Sequence, residues 1–208
     1  ALPLISEKYS SFFESHINGV VLDPNCDYLF CIRNPIDRAF SAFEWRKKLV
    51  IEDALPQQLR RFPGERKVLR QYQSLGTMAR SLYRSDGRLN QAVARDFYCV
   101  HHLRESISFY CRPLLAVLTP GNIFGVVCQE ELVADCSRLL GVDASGLKER
   151  SNESKRRIDQ DLDAGAVNNL KRFLVEDYQC IAALWSLGAL SDQQFWRVMT
   201  SSVEASLL

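Results

Sequence analysis

Hydrophobic and polar positions follow two different periods along this chain, and each change of period marks an element. Tyr28-Leu29-Phe30-Cys31-Ile32 is a continuous apolar, β-prone run of strand length. After Arg33 the spacing becomes helical: Ile36, Ala39, Phe40 and Phe43 form one stripe and predict a helix running to about Val50. Asn34 is a good N-cap, and Pro35 suits the first helical position, where no N–H is needed. Asp37, three residues after Asn34, gives a capping-box-like start and a negative charge near the helix N-terminus.

The same reading carries down the chain. Val68, Leu69, Tyr72, Leu75, Met78, Ala79 and Leu82 predict a helix from Glu65 to about Tyr83. Ile107, Tyr110, Leu114, Leu115 and Leu118 predict another from about His102 to Leu118, broken by Thr119-Pro120-Gly121. Asn122 to Cys128 reads as a second buried strand, followed by a short helix from Val133 to Leu140 that Gly141 stops. The longest helix is expected from Ala164 to Leu187, and a last one starts at Ser191 with Gln194 completing a capping box. Strand, helices, strand and more helices predict an α/β fold, helix-rich, with a small mainly parallel sheet flanked by helices.

Composition adds bounds rather than direction. The 208 residues are enough for one domain with a sizeable core, and 47% hydrophobic with 25% charged residues is ordinary for a globular protein. A net charge of +1 gives no bulk attraction to nucleic acid or anionic membrane, so any anion site has to be local. No apolar run is long enough to span a bilayer. The seven cysteines are odd in number and include no C-x-x-C pair, which points to reduced, structural thiols and a reducing, cytoplasm-like compartment. Three histidines without a fitting cysteine spacing give no zinc site, so no metal is expected.

The chemistry converges on the first strand-to-helix turn. A helix N-terminus preceded by Arg33, with Arg38 and Ser41 three apart on one face, can bring N–H groups, the helix dipole, a guanidinium fork and a hydroxyl onto a phosphate. The basic cluster Arg60, Arg61, Arg66, Lys67 and Arg70 reads as a solvated face.

The segment RNPIDRAFSAF resembles the 3′-phosphate-binding motif of the sulfotransferase family, in which an Arg is followed eight residues later by a Ser, with Asn-Pro or Asp-Pro after the Arg. Here these are Arg33-Asn34-Pro35 and Ser41. Further matches are Glu7-Lys8-Tyr9 upstream, Pro120 with Asn122-Ile123, Glu130-Glu131-Leu132, Leu140-Gly141-Val142, Asn152-Glu153-Ser154, and Asp177-Tyr178 followed by Leu184. The resemblance implies a P-loop-like nucleotide-binding architecture. It implies that Arg33 and Ser41 grip the 3′-phosphate of 3′-phosphoadenosine 5′-phosphosulfate, with Arg38, Lys155 and Arg156 as further donor contacts. It also implies sulfuryl transfer to a hydroxyl or amine, with a carbohydrate as the expected acceptor.

The other half of such a site is not legible. No Lys-containing, Gly/Ser/Thr-rich turn precedes Arg33, and no G-x-x-x-x-G-K occurs, which argues against a kinase reading. The expectation is a single sulfotransferase-like domain over residues 1–208 that is incomplete at its N-terminus, with the 5′-phosphosulfate loop upstream, in the region where the resemblance also implies the catalytic base often lies. Among residues present, His101 and His102 are the candidate bases because imidazole titrates near neutrality, with Glu44 and Glu105 behind them. The alternative is a non-catalytic module that keeps the fold or the nucleotide grip.

Overall fold

The computed structural model describes residue 23 and residues 26–141, 143, 158–200 and 202–205. In chain order its elements are β1 (Tyr28–Ile32), α1 (Pro35–Lys47), a π-helical turn (Lys48–Glu52), α2 (Pro56–Arg61), α3 (Glu65–Tyr72), α4 (Leu75–Arg80), α5 (Gln91–Cys99), α6 (His101–Arg104), α7 (Ile107–Leu115), β2 (Ile123–Cys128), α8 (Leu132–Leu140), α9 (Ile158–Asp161), α10 (Ala164–Phe173), α11 (Val175–Ser186), α12 (Asp192–Met199) and α13 (Ser202–Ala205). The helix-rich α/β expectation holds at this level.

β1 and β2 pair in parallel, with Phe30 opposite Val126 and Ile32 opposite Cys128. A parallel pair needs a long crossover, and the helices from α1 to α7 supply it. Side chains alternate across a strand, so the sheet divides its apolar residues between two faces. Phe30, Ile32, Val126 and Cys128 pack with Ile107 and Cys111 of α7, Ile181 and Leu184 of α11, and Phe195 and Val198 of α12. Val127 faces the other way, against Cys136 and Leu140 of α8. A separate helical core gathers Ile36, Phe40 and Phe43 of α1 with Leu69, Met78, Phe97, Leu103 and Leu170. The apolar stripe of α1 therefore fixes its rotation, and with it the direction of every polar residue on that helix.

Three expected helices are each two. The first breaks after Tyr72, where Gln73 takes a left-handed conformation (φ 60°) and the Ser74 hydroxyl accepts from Thr77 N–H at 3.2 Å to begin α4. The second is divided into α6 and α7 by Ser106 and by buried Asp177, whose carboxylate accepts from the Ile107 and Ser108 N–H groups at 3.3 and 2.8 Å. The third bends at Leu174 between α10 and α11. Two local readings hold: Gly141 ends α8 at φ 58°, and Ser191 with Gln194 forms a reciprocal capping box.

Asp177 belongs to a set. Asp37, Asp135, Asp161 and Asp177 are all buried, and each accepts a backbone N–H from a different element: Ser202, Cys128, Gly76, and Ile107 with Ser108. A buried carboxylate is tolerable only with such donors, and here each one also ties two elements together. At Gly76 the approach is so close that a Cβ would sit 2.0 Å from the Asp161 carbonyl oxygen. No helix among the described residues is long and apolar enough to cross a membrane.

Candidate functional site at the junction of strand β1 and helix α1

The N-terminus of α1 is closed by its own cap. The Asn34 side-chain oxygen accepts from Ile36 N–H at 2.9 Å and Asp37 N–H at 3.2 Å, Pro35 has no N–H, and Arg38 N–H bonds the Asn34 carbonyl at 2.9 Å. Asn34 is itself fully buried: its amide NH2 donates to the Val198 carbonyl at 2.7 Å, and its backbone N–H donates to Glu130 Oε1 at 2.8 Å. Two expectations are corrected here. The free N–H groups foreseen for a phosphate are already satisfied. The reciprocal half of the capping box comes from Glu130, not Asp37, because the Asp37 carboxylate is held by the Ser202 N–H and hydroxyl.

What remains for an anion is therefore the side chain of Arg33. Among the described residues no hydrogen bond or ion pair holds its guanidinium. Its charge reaches Asp37 and Glu130, lowering the pKa of each, yet burial outweighs it and raises both carboxyls above their ordinary range. Among the described residues Glu130 Oε2 is buried with no hydrogen-bond partner, which fits a carboxyl that readily takes a proton.

A cavity of about 160 Å³ opens beside Arg33. Its polar lining is Arg33, Arg38, Ser106, Tyr110 and Gln129, with the Cys31 and Cys111 thiols and the apolar Ile32 and Ile107. Cys111 is buried, and burial above all pushes its thiol up to about 12, so it is protonated at neutral pH and a poor nucleophile. Tyr110 is also raised to about 12, by burial and then by its hydrogen bond to Glu105, and acts as a donor. Ser106 is shared with a wider groove of about 550 Å³ that also has Tyr98, Arg104, Ser108, Phe109 and Arg112 on its walls.

The other expected residues separate. Arg38 lines the cavity, but its guanidinium donates to the carbonyl oxygens of His102 (3.2 Å) and Glu105. It positions the wall more than it offers free charge. Ser41 lies farther along α1, half-buried and outside the cavity lining. Lys155 and Arg156 fall outside the described residues, as do the Glu7-Lys8-Tyr9 and Asn152-Glu153-Ser154 matches.

His101 and His102 form α6, and neither lines the Arg33 cavity. Burial lowers both, taking His102 to about 4 with further depression from His101 and Arg46, so both rings are neutral at neutral pH. His101 Nε2 is 2.9 Å from Glu105 Oε1, and its ring stacks on Phe62. The backbone N–H of His101 donates to Glu65 Oε1 at 3.0 Å.

Glu65 was invisible as a site residue in the sequence, where it is only the first helical residue after a Pro-Gly turn. In the fold it is fully buried and accepts from Arg46 Nε at 2.8 Å and Nη2 at 2.6 Å, while Arg46 Nη1 donates to Gln58 at 2.9 Å. The signal that could have found the pair was a lone Arg on the far end of the core-facing helix. The exposed Arg60, Arg61, Arg66, Lys67 and Arg70 around it masked that signal.

Comparison with family models, with curated proteins and with solved structures finds no match.

Proposed function

We propose that this chain is the 3′-phosphate-gripping part of a sulfotransferase that takes a sulfuryl group from 3′-phosphoadenosine 5′-phosphosulfate, with a carbohydrate hydroxyl or amine as acceptor. One observation carries the reading. Arg33 stands at the end of a parallel strand with its guanidinium unpaired among the described residues, on a cavity it shares with Arg38, Tyr110 and Gln129. An unpaired guanidinium with the Gln129 side chain beside it suits a phosphate monoester. The parallel strand–crossover–strand unit also suits a P-loop-like nucleotide fold, in which ligands sit beyond the carboxyl ends of the strands. The adjoining groove, with Tyr98, Phe109, Arg104 and Arg112, offers space for an acceptor next to the donor cavity. Sulfuryl transfer, like phosphoryl transfer, depends mainly on alignment and on stabilising charge at the leaving group, which a cationic wall provides.

A second reading, nucleotide binding without transfer, is favoured by a specific feature: no described residue lining the Arg33 cavity is a carboxylate or an imidazole, and Glu176, the carboxylate on the adjoining groove, is paired with Arg112 at 3.1 Å. His101 and His102 would need a path to the acceptor that the cavity does not supply. Calorimetric titration with 3′-phosphoadenosine 5′-phosphate separates the cases. Binding that Arg33→Ala reduces roughly 10–100-fold, the range expected for one charge-assisted phosphate contact, supports the donor site. Binding indifferent to that substitution refutes it. Binding without turnover of the sulfated donor on a panel of saccharides favours the second reading.

A further inference from the structure

The corner between α6 and α7 presents a different ligand set, and we propose that His101, His102 and Glu105 bind one divalent transition-metal ion, with zinc as the fitting species. This does not depend on the sulfuryl-transfer reading. One ligand atom from each of the three side chains lies within 4.8 Å of the others. His101 Nε2 and Glu105 Oε1 are 2.9 Å apart, the separation of two ligands at right angles around an ion with bonds of about 2.0–2.1 Å. Opening that angle to tetrahedral asks for only about 0.5 Å more. The His102 ring lies 4.7 Å from that of His101, and one of its nitrogens is within 4.8 Å of the other two ligand atoms.

The surroundings support ligation. The Tyr110 hydroxyl donates to Glu105 Oε2 at 3.0 Å and leaves Oε1 for the ion, the type of outer hydrogen bond that orients a metal-binding carboxylate. Phe62 packs on the His101 ring at 4.0 Å between centroids. His101 Nδ1 has no hydrogen-bond partner among the described residues, so ligation through Nε2 leaves the ring N–H at a buried position without an acceptor there. The nearby cations are otherwise occupied or able to withdraw: Arg46 is bonded by Glu65, Arg38 by carbonyl oxygens, and half-exposed Arg104 stands 3.8 Å from Glu105. Two imidazoles and one carboxylate select zinc, cobalt, nickel or copper over magnesium and calcium. The cysteine spacing that a sequence search for zinc relies on plays no part in such a site.

Binding here has a consequence for the Arg33 cavity. Arg38 donates to the carbonyl oxygens of His102 and Glu105, two of the three proposed ligands. An ion fixed to their side chains braces the backbone that holds Arg38 in the cavity wall.

The test is a titration of the reduced, metal-free protein with Co²⁺, followed by displacement with Zn²⁺. One equivalent of Co²⁺ is expected to give visible d–d bands with no thiolate charge-transfer absorption. His102→Ala and Glu105→Gln are expected to weaken Zn²⁺ binding about tenfold or more, while His16→Ala leaves it unchanged. Imidazole proton NMR of the unsubstituted protein provides a readout independent of whether a variant folds: Zn²⁺ shifts the signals of two of the three histidines. A thiolate charge-transfer band, a His102→Ala variant that binds zinc like the parent, or imidazole signals that zinc leaves in place would each overturn the proposal.

Discussion

The two ends of α1 carry the same kind of residue in opposite circumstances. At the C-terminal end Arg46 is 2% exposed, held by both oxygens of buried Glu65, by Gln58, and by the Phe62 ring 4.8 Å from its guanidinium carbon. At the N-terminal end Arg33 is half-buried beside a cavity, with two carboxyls nearby that are both committed to backbone N–H groups. Arg38 lies between these extremes, bonded to two carbonyls yet lining the cavity. The difference shows where a cation is structural and where it is available. A guanidinium whose three nitrogens all donate to protein acceptors stabilises a core. One whose neighbours are already engaged elsewhere is left to meet a ligand.

Substitutions along α1 put that contrast to the test, and the largest effect belongs to its C-terminal end. Arg46→Ala leaves the Glu65 carboxylate buried and uncompensated, and should cost about 3–5 kcal/mol in urea denaturation. Arg38→Ala frees two partly buried carbonyls and should cost about 2 kcal/mol, with weakened nucleotide binding because the cavity wall loosens. Asn34→Ala removes the cap of α1 and the donor to the Val198 carbonyl, a loss of about 1–2 kcal/mol by the same measurement.

Glu130 gives a smaller effect with a definite sign. Its folded pKa is raised, by burial first, so the protonated form is the better accommodated one in the folded state. Stability from this group is fully present below the unfolded carboxylate value and is lost as pH rises through the raised folded value. Asp37 acts in the same direction. Glu130→Gln keeps an acceptor for the Asn34 N–H and removes the charge. Melting curves across the acidic range should then show a flatter pH dependence. The same variant should bind 3′-phosphoadenosine 5′-phosphate more tightly at neutral pH, since a negative charge near Arg33 is gone. An unchanged pH profile would mean that Glu130 is not the carboxyl responsible.

How much of this was readable in the chain follows from the distance between partners. β1, β2, α1, α8 and α12 were legible because their signals are local: an apolar run, Asn34-Pro35, Gly141, Ser191 with Gln194. The breaks at Gln73 and Leu174 were not, since neither is a glycine or proline and the apolar stripe runs across both. The division at Ser106 depends on Asp177, which lies 71 residues away. At the site, Arg33 and the cap were foreseeable, but the occupants of the cap were not. Asn34 is matched to Glu130 and Val198, 96 and 164 residues distant, and Asp37 to Ser202. Those long-range bonds close the helix N-terminus that the sequence had left open for phosphate. The separation of His101 and His102 from the cavity is equally tertiary, with Arg38 reaching the carbonyl oxygens of His102 and Glu105 and not the imidazole rings.

The smallest expected change in stability carries the most weight. Arg33→Ala removes no protein hydrogen bond among the described residues and should shift unfolding by no more than about 0.5 kcal/mol. Parallel calorimetry of this variant and the parent with 3′-phosphoadenosine 5′-phosphate, next to their melting curves, is the direct measurement. The account predicts superimposable melts and a roughly 10–100-fold loss of nucleotide affinity in the variant. Equal affinity in both proteins, or a variant that unfolds as readily as Arg46→Ala, would contradict it.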